Sequence, residues 1–137
     1  MERFEEARRW YMQALRDLKA ASDSLADGNY EWACFQAQQA AEKAARALLY
    51  GYGASGWGHS VVELLEALRR YTDVSEDLYV AGRELDRHYI PSRYPNAFPS
   101  GYPGMYYDRS TAERAIEASR RIVDWVRVEL ARIGLEV

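Results

Sequence analysis

Cysteine is nearly absent, and Cys34 stands alone. No disulfide can form within the chain, and a lone cysteine in an alanine-rich segment reads as a small core residue. Histidine is as scarce, with only His59 and His88, and there is no paired-cysteine spacing, so a zinc site lacks its donor set. A Gly-rich phosphate loop ahead of a helix is missing, which excludes P-loop chemistry. No serine sits on a strained elbow beside a histidine, and His59-Ser60 reads as a helix start. No window approaches the roughly 18 apolar residues of a membrane span, and Met1-Glu2-Arg3 is not followed by the apolar run of a signal peptide. The expectation is a cytoplasmic chain with no membrane contact, no metal and no cofactor.

Lysine is rare too: Lys19 and Lys43 are the only two, and every other cation is arginine. Arginine suits forked contacts to carboxylate or phosphate. The net charge of -3 argues against a protein that coats DNA through bulk electrostatics, so any contact with RNA has to be local.

What is present is an ordinary globular composition, 48% hydrophobic and 28% charged over 137 residues, which predicts one domain spanning 1–137. Apolar or small residues at Phe4, Ala7, Tyr11, Leu15, Leu18, Ser22 and Leu25 step by three and four, as an amphipathic helix requires. Asp27-Gly28-Asn29 reads as a tight turn, Gly28 ending one helix and Asn29 capping the next, so the first two helices form an antiparallel hairpin. The second, about 30–50, carries Ala33, Ala37, Ala40, Ala41, Ala44 and Leu48 on one face. Gln36, Gln38, Gln39, Glu42 and Lys43 fill the remainder, as solvated surface or as a contact to another chain. Gly51 to Gly58 is a loop, which Trp57 is expected to pin to the core.

Ser60-Val61-Val62-Glu63 matches a capping box and opens a third helix ending near Tyr71. A fourth, after Ser75, turns Leu78, Ala81, Leu85 and Tyr89 inward and stops by Ile90. Pro91, Pro95, Pro99 and Pro103, the only prolines, remove amide donors and force the residues before them out of helical conformation, so helix four cannot run past Ile90. A last long helix, about 110–133, follows a second capping box at Ser110-Thr111-Ala112-Glu113. The pattern predicts an all-α fold: an up-and-down four-helix bundle with one extra short helix and an irregular Pro- and Tyr-rich loop before the last helix.

Residues able to do chemistry gather where that loop begins: Arg83, Asp86, Arg87, His88, Tyr89, Arg93, Tyr94 and Asn96. An arginine and a histidine at one phosphate suffice for metal-free RNA cleavage, the histidine moving a proton and the arginine steadying the developing charge. One histidine cannot make both transfers at once, so a second copy facing the first would complete the site. Five residues turn an ideal helix by about 140°, which points Arg83 and His88 in different directions. The plain alternative is a surface pair of Glu84 with His88 at i,i+4, and an Arg83 that bonds Asp86 or water.

Gly28-Asn29-Tyr30-Glu31-Trp32-Ala33-Cys34-Phe35, Gln38-Gln39-Ala40-Ala41-Glu42-Lys43, Gly58-His59-Ser60 and Leu85-Asp86-Arg87-His88-Tyr89-Ile90-Pro91-Ser92-Arg93-Tyr94-Pro95-Asn96-Ala97 together resemble a HEPN domain. The resemblance implies a helical bundle that forms a homodimer, in the branch associated with minimal nucleotidyltransferases and toxin-antitoxin-like systems. Many such proteins are metal-independent endoribonucleases, and Arg83 and His88, with four residues between, fit their catalytic arginine-histidine signature. Some partnered members carry a tyrosine two places after the histidine that receives a nucleotide. Ile90 stands there in this chain, and Tyr89 lies one place early. The competing reading is a catalytically silent module in which Arg87, Tyr89, Arg93, Tyr94 and Asn96 hold a nucleotide or RNA, or dock the nucleotidyltransferase.

Overall fold

The computed structural model describes residues 2–137. Six α-helices occur among them: α1 (Glu2–Ala26), α2 (Tyr30–Gly51), α3 (Val61–Leu68), α4 (Glu76–Asp86), α5 (Pro103–Tyr106) and α6 (Arg109–Arg132), with one 3₁₀ turn at Pro95–Ala97. The architecture is the expected all-α, up-and-down bundle. Its four walls are α1, α2, α4 and α6, and α3 bridges α2 to α4. Gly28 joins α1 to α2 with φ +80°, a conformation that costs a residue with a Cβ but not glycine.

The centre is α2, and its burial departs from the expected half-solvated face. Gln38 and Glu42 are buried along with Ala33, Cys34, Ala37, Ala41, Ala45 and Leu48. With α1, α3 and α6 all packed on it, the helix has little free surface. Its small side chains let the neighbours approach closely, while Leu48, Leu64, Leu65, Leu85, Ile122 and Leu130 fill the space between them. Each such leucine or isoleucine contributes about 1.5–3 kcal/mol by leaving water. Tyr11 is buried too, and its hydroxyl donates to the Val123 carbonyl at 3.2 Å, tying α1 to α6.

Three local expectations change. Asn29 precedes α2 but makes no side-chain capping bond. The cap of α6 is Asp108, whose carboxylate accepts from the Thr111 amide at 2.8 Å, so the helix begins one residue before the Ser110 box. Hydrogen bonding to that amide holds the Asp108 carboxyl below its ordinary range. Trp57 does not pin the glycine loop to the core, for it is 89% exposed. Arg46 does so instead, donating to the carbonyls of Gly56 at 2.9 Å and Gly58 at 2.5 Å.

Candidate functional site

The end of α4 is fixed by a carboxylate. Asp86, the last residue of α4, accepts from the amides of Val61 at 2.8 Å and Val62 at 3.0 Å and from the Ser60 hydroxyl at 2.9 Å. Those amides are orphan donors at the start of α3, where the helix dipole favours negative charge. Ser60 in turn accepts from the Glu63 amide at 3.1 Å, the first half of the expected capping box. Gln38 reaches the same junction from the core, donating to the His59 carbonyl at 2.8 Å.

His59 and Tyr89 close the junction on its outer side. Their rings stack with centroids 4.9 Å apart and planes 16° apart. His59 Nδ1 lies 3.3 Å from Glu42, whose carboxylate also receives Arg46 at 3.2 Å. A shallow cleft of about 480 Å³ opens beside the stack, lined by His59, Ser60, Glu63, Asp86, Tyr89, Ile90 and Pro91.

Arg93 occupies the next turn. Its Nε donates to the Tyr89 carbonyl at 2.9 Å. Its guanidinium carbon lies 4.3 Å from the Phe35 ring centre, 4.6 Å from that of Tyr89 and 5.0 Å from that of Tyr94. Both the planar cation and the rings gain from this arrangement. Among the described residues no carboxylate pairs with the two terminal amines of Arg93, which leaves a fixed fork of donors at a half-buried position. Tyr94 is exposed beside it, and Asn96 is exposed within the 3₁₀ turn.

The arginine and histidine of the cleavage motif are not brought together within one chain. Arg83 is half exposed and pairs with Glu76 at 2.6 Å, not with Asp86. Arg87 is exposed, 3.6 Å from Glu84. His88 points inward and is 6% exposed. Its Nδ1 lies 2.9 Å from the Tyr107 hydroxyl and its Nε2 3.2 Å from the Glu84 carboxylate. A neutral ring protonated on Nε2 satisfies both contacts, donating to Glu84 and accepting from Tyr107. The expected Glu84–His88 pair therefore exists, but in the interior. Burial lowers the His88 pKa below its usual value, outweighing the opposing pull of Glu84. Burial likewise raises that of Tyr107, with Cys34 and Glu84 adding to it.

Sequence reasoning missed Tyr107, nineteen residues beyond His88 and across an irregular segment that carries no periodicity. It also missed the polar ladder of Gln38, Glu42 and Arg46. A signal for part of that ladder was present, because Gln38 and Glu42 fall four residues after Cys34 and Gln38, in register with Ala41 and Ala45 on the same helix.

A family model described as HEPN domain matches residues 7–129. Among solved structures, the protein TT1696 from Thermus thermophilus is 44% identical, with a TM-score of 0.88 over 90% of this chain and 98% of that one. ST0689, described as an archaeal HEPN homologue, is 37% identical with a TM-score of 0.78 over 91% and 98%. A HEPN domain protein from Thermotoga maritima, tm0613, is 36% identical with a TM-score of 0.74 over 90% and 98%. No curated protein matches the chain.

Proposed function

The chain belongs to the HEPN domain family, and on that premise we propose that it is a nucleotide-binding module whose recognition group is Arg93. The observation that carries this reading is the fork of Arg93, held by the Tyr89 carbonyl and three rings with its terminal amines free of any carboxylate among the described residues. A preorganised guanidinium of this kind binds a phosphate through two parallel hydrogen bonds. Tyr94 offers an exposed ring beside it for a base, and Arg87 and Asn96 are exposed. The α3 amino terminus is not the phosphate site, because Asp86 already satisfies it. From the family resemblance the proposal takes its setting: a homodimer acting with a minimal nucleotidyltransferase, whose nucleotide or RNA the module holds.

Calorimetry with AMP, ATP and a short single-stranded RNA tests this. Wild type binds at least one of them, and Arg93→Ala weakens that binding by about tenfold or more, the worth of one charged hydrogen-bonded contact. Arg93→Lys does not restore it, since lysine lacks the fork. Absence of binding by wild type to all three would overturn the proposal. Titration with a nucleotidyltransferase encoded beside this chain tests the pairing.

The ribonuclease reading has less support from this geometry. Both ring nitrogens of His88 are engaged in the interior, and Arg83 faces Glu76. Cleavage would require a second copy and the uncovering of His88. Cleavage of RNA to cyclic-phosphate ends in excess chelator, lost in His88→Ala, would establish it against the silent-module reading.

A further inference from the structure

The cleft at the start of α3 has a volume of about 480 Å³, within the range of small-ligand sites. Its polar groups divide into those already engaged and those left over. The Asp86 carboxylate is engaged, accepting from the Val61 and Val62 amides and from the Ser60 hydroxyl. That hydroxyl is engaged as well, because it also accepts from the Glu63 amide. The Glu63 carboxylate is left over. It is exposed at the cleft, the cap of α3 uses its amide and not its side chain, and among the described residues it has no hydrogen bond or ion pair.

The same cleft has flat and apolar walls. The His59 ring stacks on Tyr89 at 4.9 Å, and its Nδ1 lies 3.3 Å from the buried Glu42 carboxylate. The plane of the imidazole is thus set from two sides while its side chain stays 59% exposed. Tyr89 is held in turn by the Arg93 guanidinium, 4.6 Å from its ring centre. Ile90 and Pro91 add an apolar edge, and Ile90 is left 48% exposed there. A fixed imidazole open to solvent is a platform on which a nucleobase stacks.

The free carboxylate selects among bases. It only accepts hydrogen bonds, and together with Asp86 it turns a phosphate away from the cleft. Of the four RNA bases, guanine alone places two donors side by side, N1–H and the N2 amine, to match the two oxygens of a carboxylate. Adenine and cytosine set their amine beside a ring nitrogen that accepts, and uracil has one N–H between two carbonyls. Either pattern would press an acceptor against Glu63, the kind of mismatch that a hydrogen-bonding site rejects strongly. We infer that this cleft is a guanine-binding subsite, in which Glu63 takes the N1–H and N2 amine edge and His59 stacks on the base. The subsite goes beyond the reading of Arg93 as a phosphate anchor and does not depend on it.

Titration of isotope-labelled full-length chain with guanosine, inosine and adenosine, followed by amide chemical shifts, reads the outcome with no phosphate in the ligand. Guanosine is expected to shift the His59, Ser60 and Ile90 amides and to bind about tenfold or more tightly than adenosine, the discrimination of a two-point contact. Inosine keeps N1–H but lacks the N2 amine, and it should bind less tightly than guanosine. Glu63→Gln replaces one acceptor by a donor and should bring guanosine down to the level of adenosine. Its urea midpoint should stay close to wild type, because the α3 cap is kept. Absence of guanosine binding, equal binding of guanosine and adenosine, or a guanosine preference that survives Glu63→Gln overturns the inference. Each of these leaves phosphate recognition at Arg93 standing, whereas failure of AMP, ATP and RNA to bind with guanosine still bound overturns that reading alone.

Discussion

The Tyr107 hydroxyl lies 2.9 Å from Nδ1 of His88, joining the residue before the cap of α6 to the turn that ends α4. This contact turns a candidate catalytic histidine into a buried, neutral link between two segments of the fold. Glu84 completes the link from the α4 side at 3.2 Å.

A pH dependence follows from that burial. His88 titrates in the folded chain below its ordinary value of 6.5, so the unfolded chain binds the proton first as pH falls. The His88 contribution to stability is therefore fully present above about pH 6.5 and is lost progressively toward the lower folded value. Urea midpoints measured from pH 7.5 downward should show a decline below about 6.5 that is reduced in His88→Gln. An unchanged profile in that variant would assign the slope to other groups.

The bundle was legible in the sequence because its signals are local. Leucine and alanine spacing marks α1 and α6, Gly28 marks the hairpin turn, and four prolines mark the irregular segment. The site was legible only in part. Arg93 and Tyr94 could be picked out by type and position, but the three-ring setting of Arg93 draws on Phe35 from a different helix. Trp57 shows the limit most clearly. A large apolar residue between glycines suggests burial on composition, while the decisive fact is that Arg46, ten residues before Gly56, takes both flanking carbonyls.

Cys34 is predicted to be chemically inert in the folded chain. It is fully buried, and burial with the nearby Glu84 and Asp108 charges pushes its thiol up to about 12, so the reactive thiolate is scarce at neutral pH. Labelling with a thiol reagent should proceed only at the rate of unfolding, becoming fast in denaturant. Rapid labelling under native conditions would contradict the packing of α2 against its neighbours.

Glu42 should prove costly to remove although it makes no hydrophobic contribution. Its side chain is 5% exposed and pairs with an Arg46 side chain that is 12% exposed. Glu42→Leu leaves that guanidinium buried without its counter-charge, and breaking a buried pair from one side costs about 3–5 kcal/mol. Glu42→Gln keeps an acceptor for Arg46 and should cost less. Chemical denaturation of both variants checks the order, and equal losses would show that shape rather than charge matters at this position.

Asp86 offers the sharpest separation of scaffold from recognition. Its carboxylate satisfies two amides and one hydroxyl at the start of α3, and a capping carboxylate with several charge-assisted bonds is worth about 2–3 kcal/mol. Asp86→Ala should therefore lower unfolding stability by about that amount. Asp86→Asn should lose less, because an amide oxygen still accepts one of the amides. Neither change touches the Arg93 fork, which is anchored by the Tyr89 carbonyl and its rings. Nucleotide affinity, measured well below the melting transition, should accordingly stay close to wild type in Asp86→Asn. A parallel loss of affinity would mean that the α3 amino terminus contributes to binding after all, and the phosphate would then have to be placed there in competition with the carboxylate.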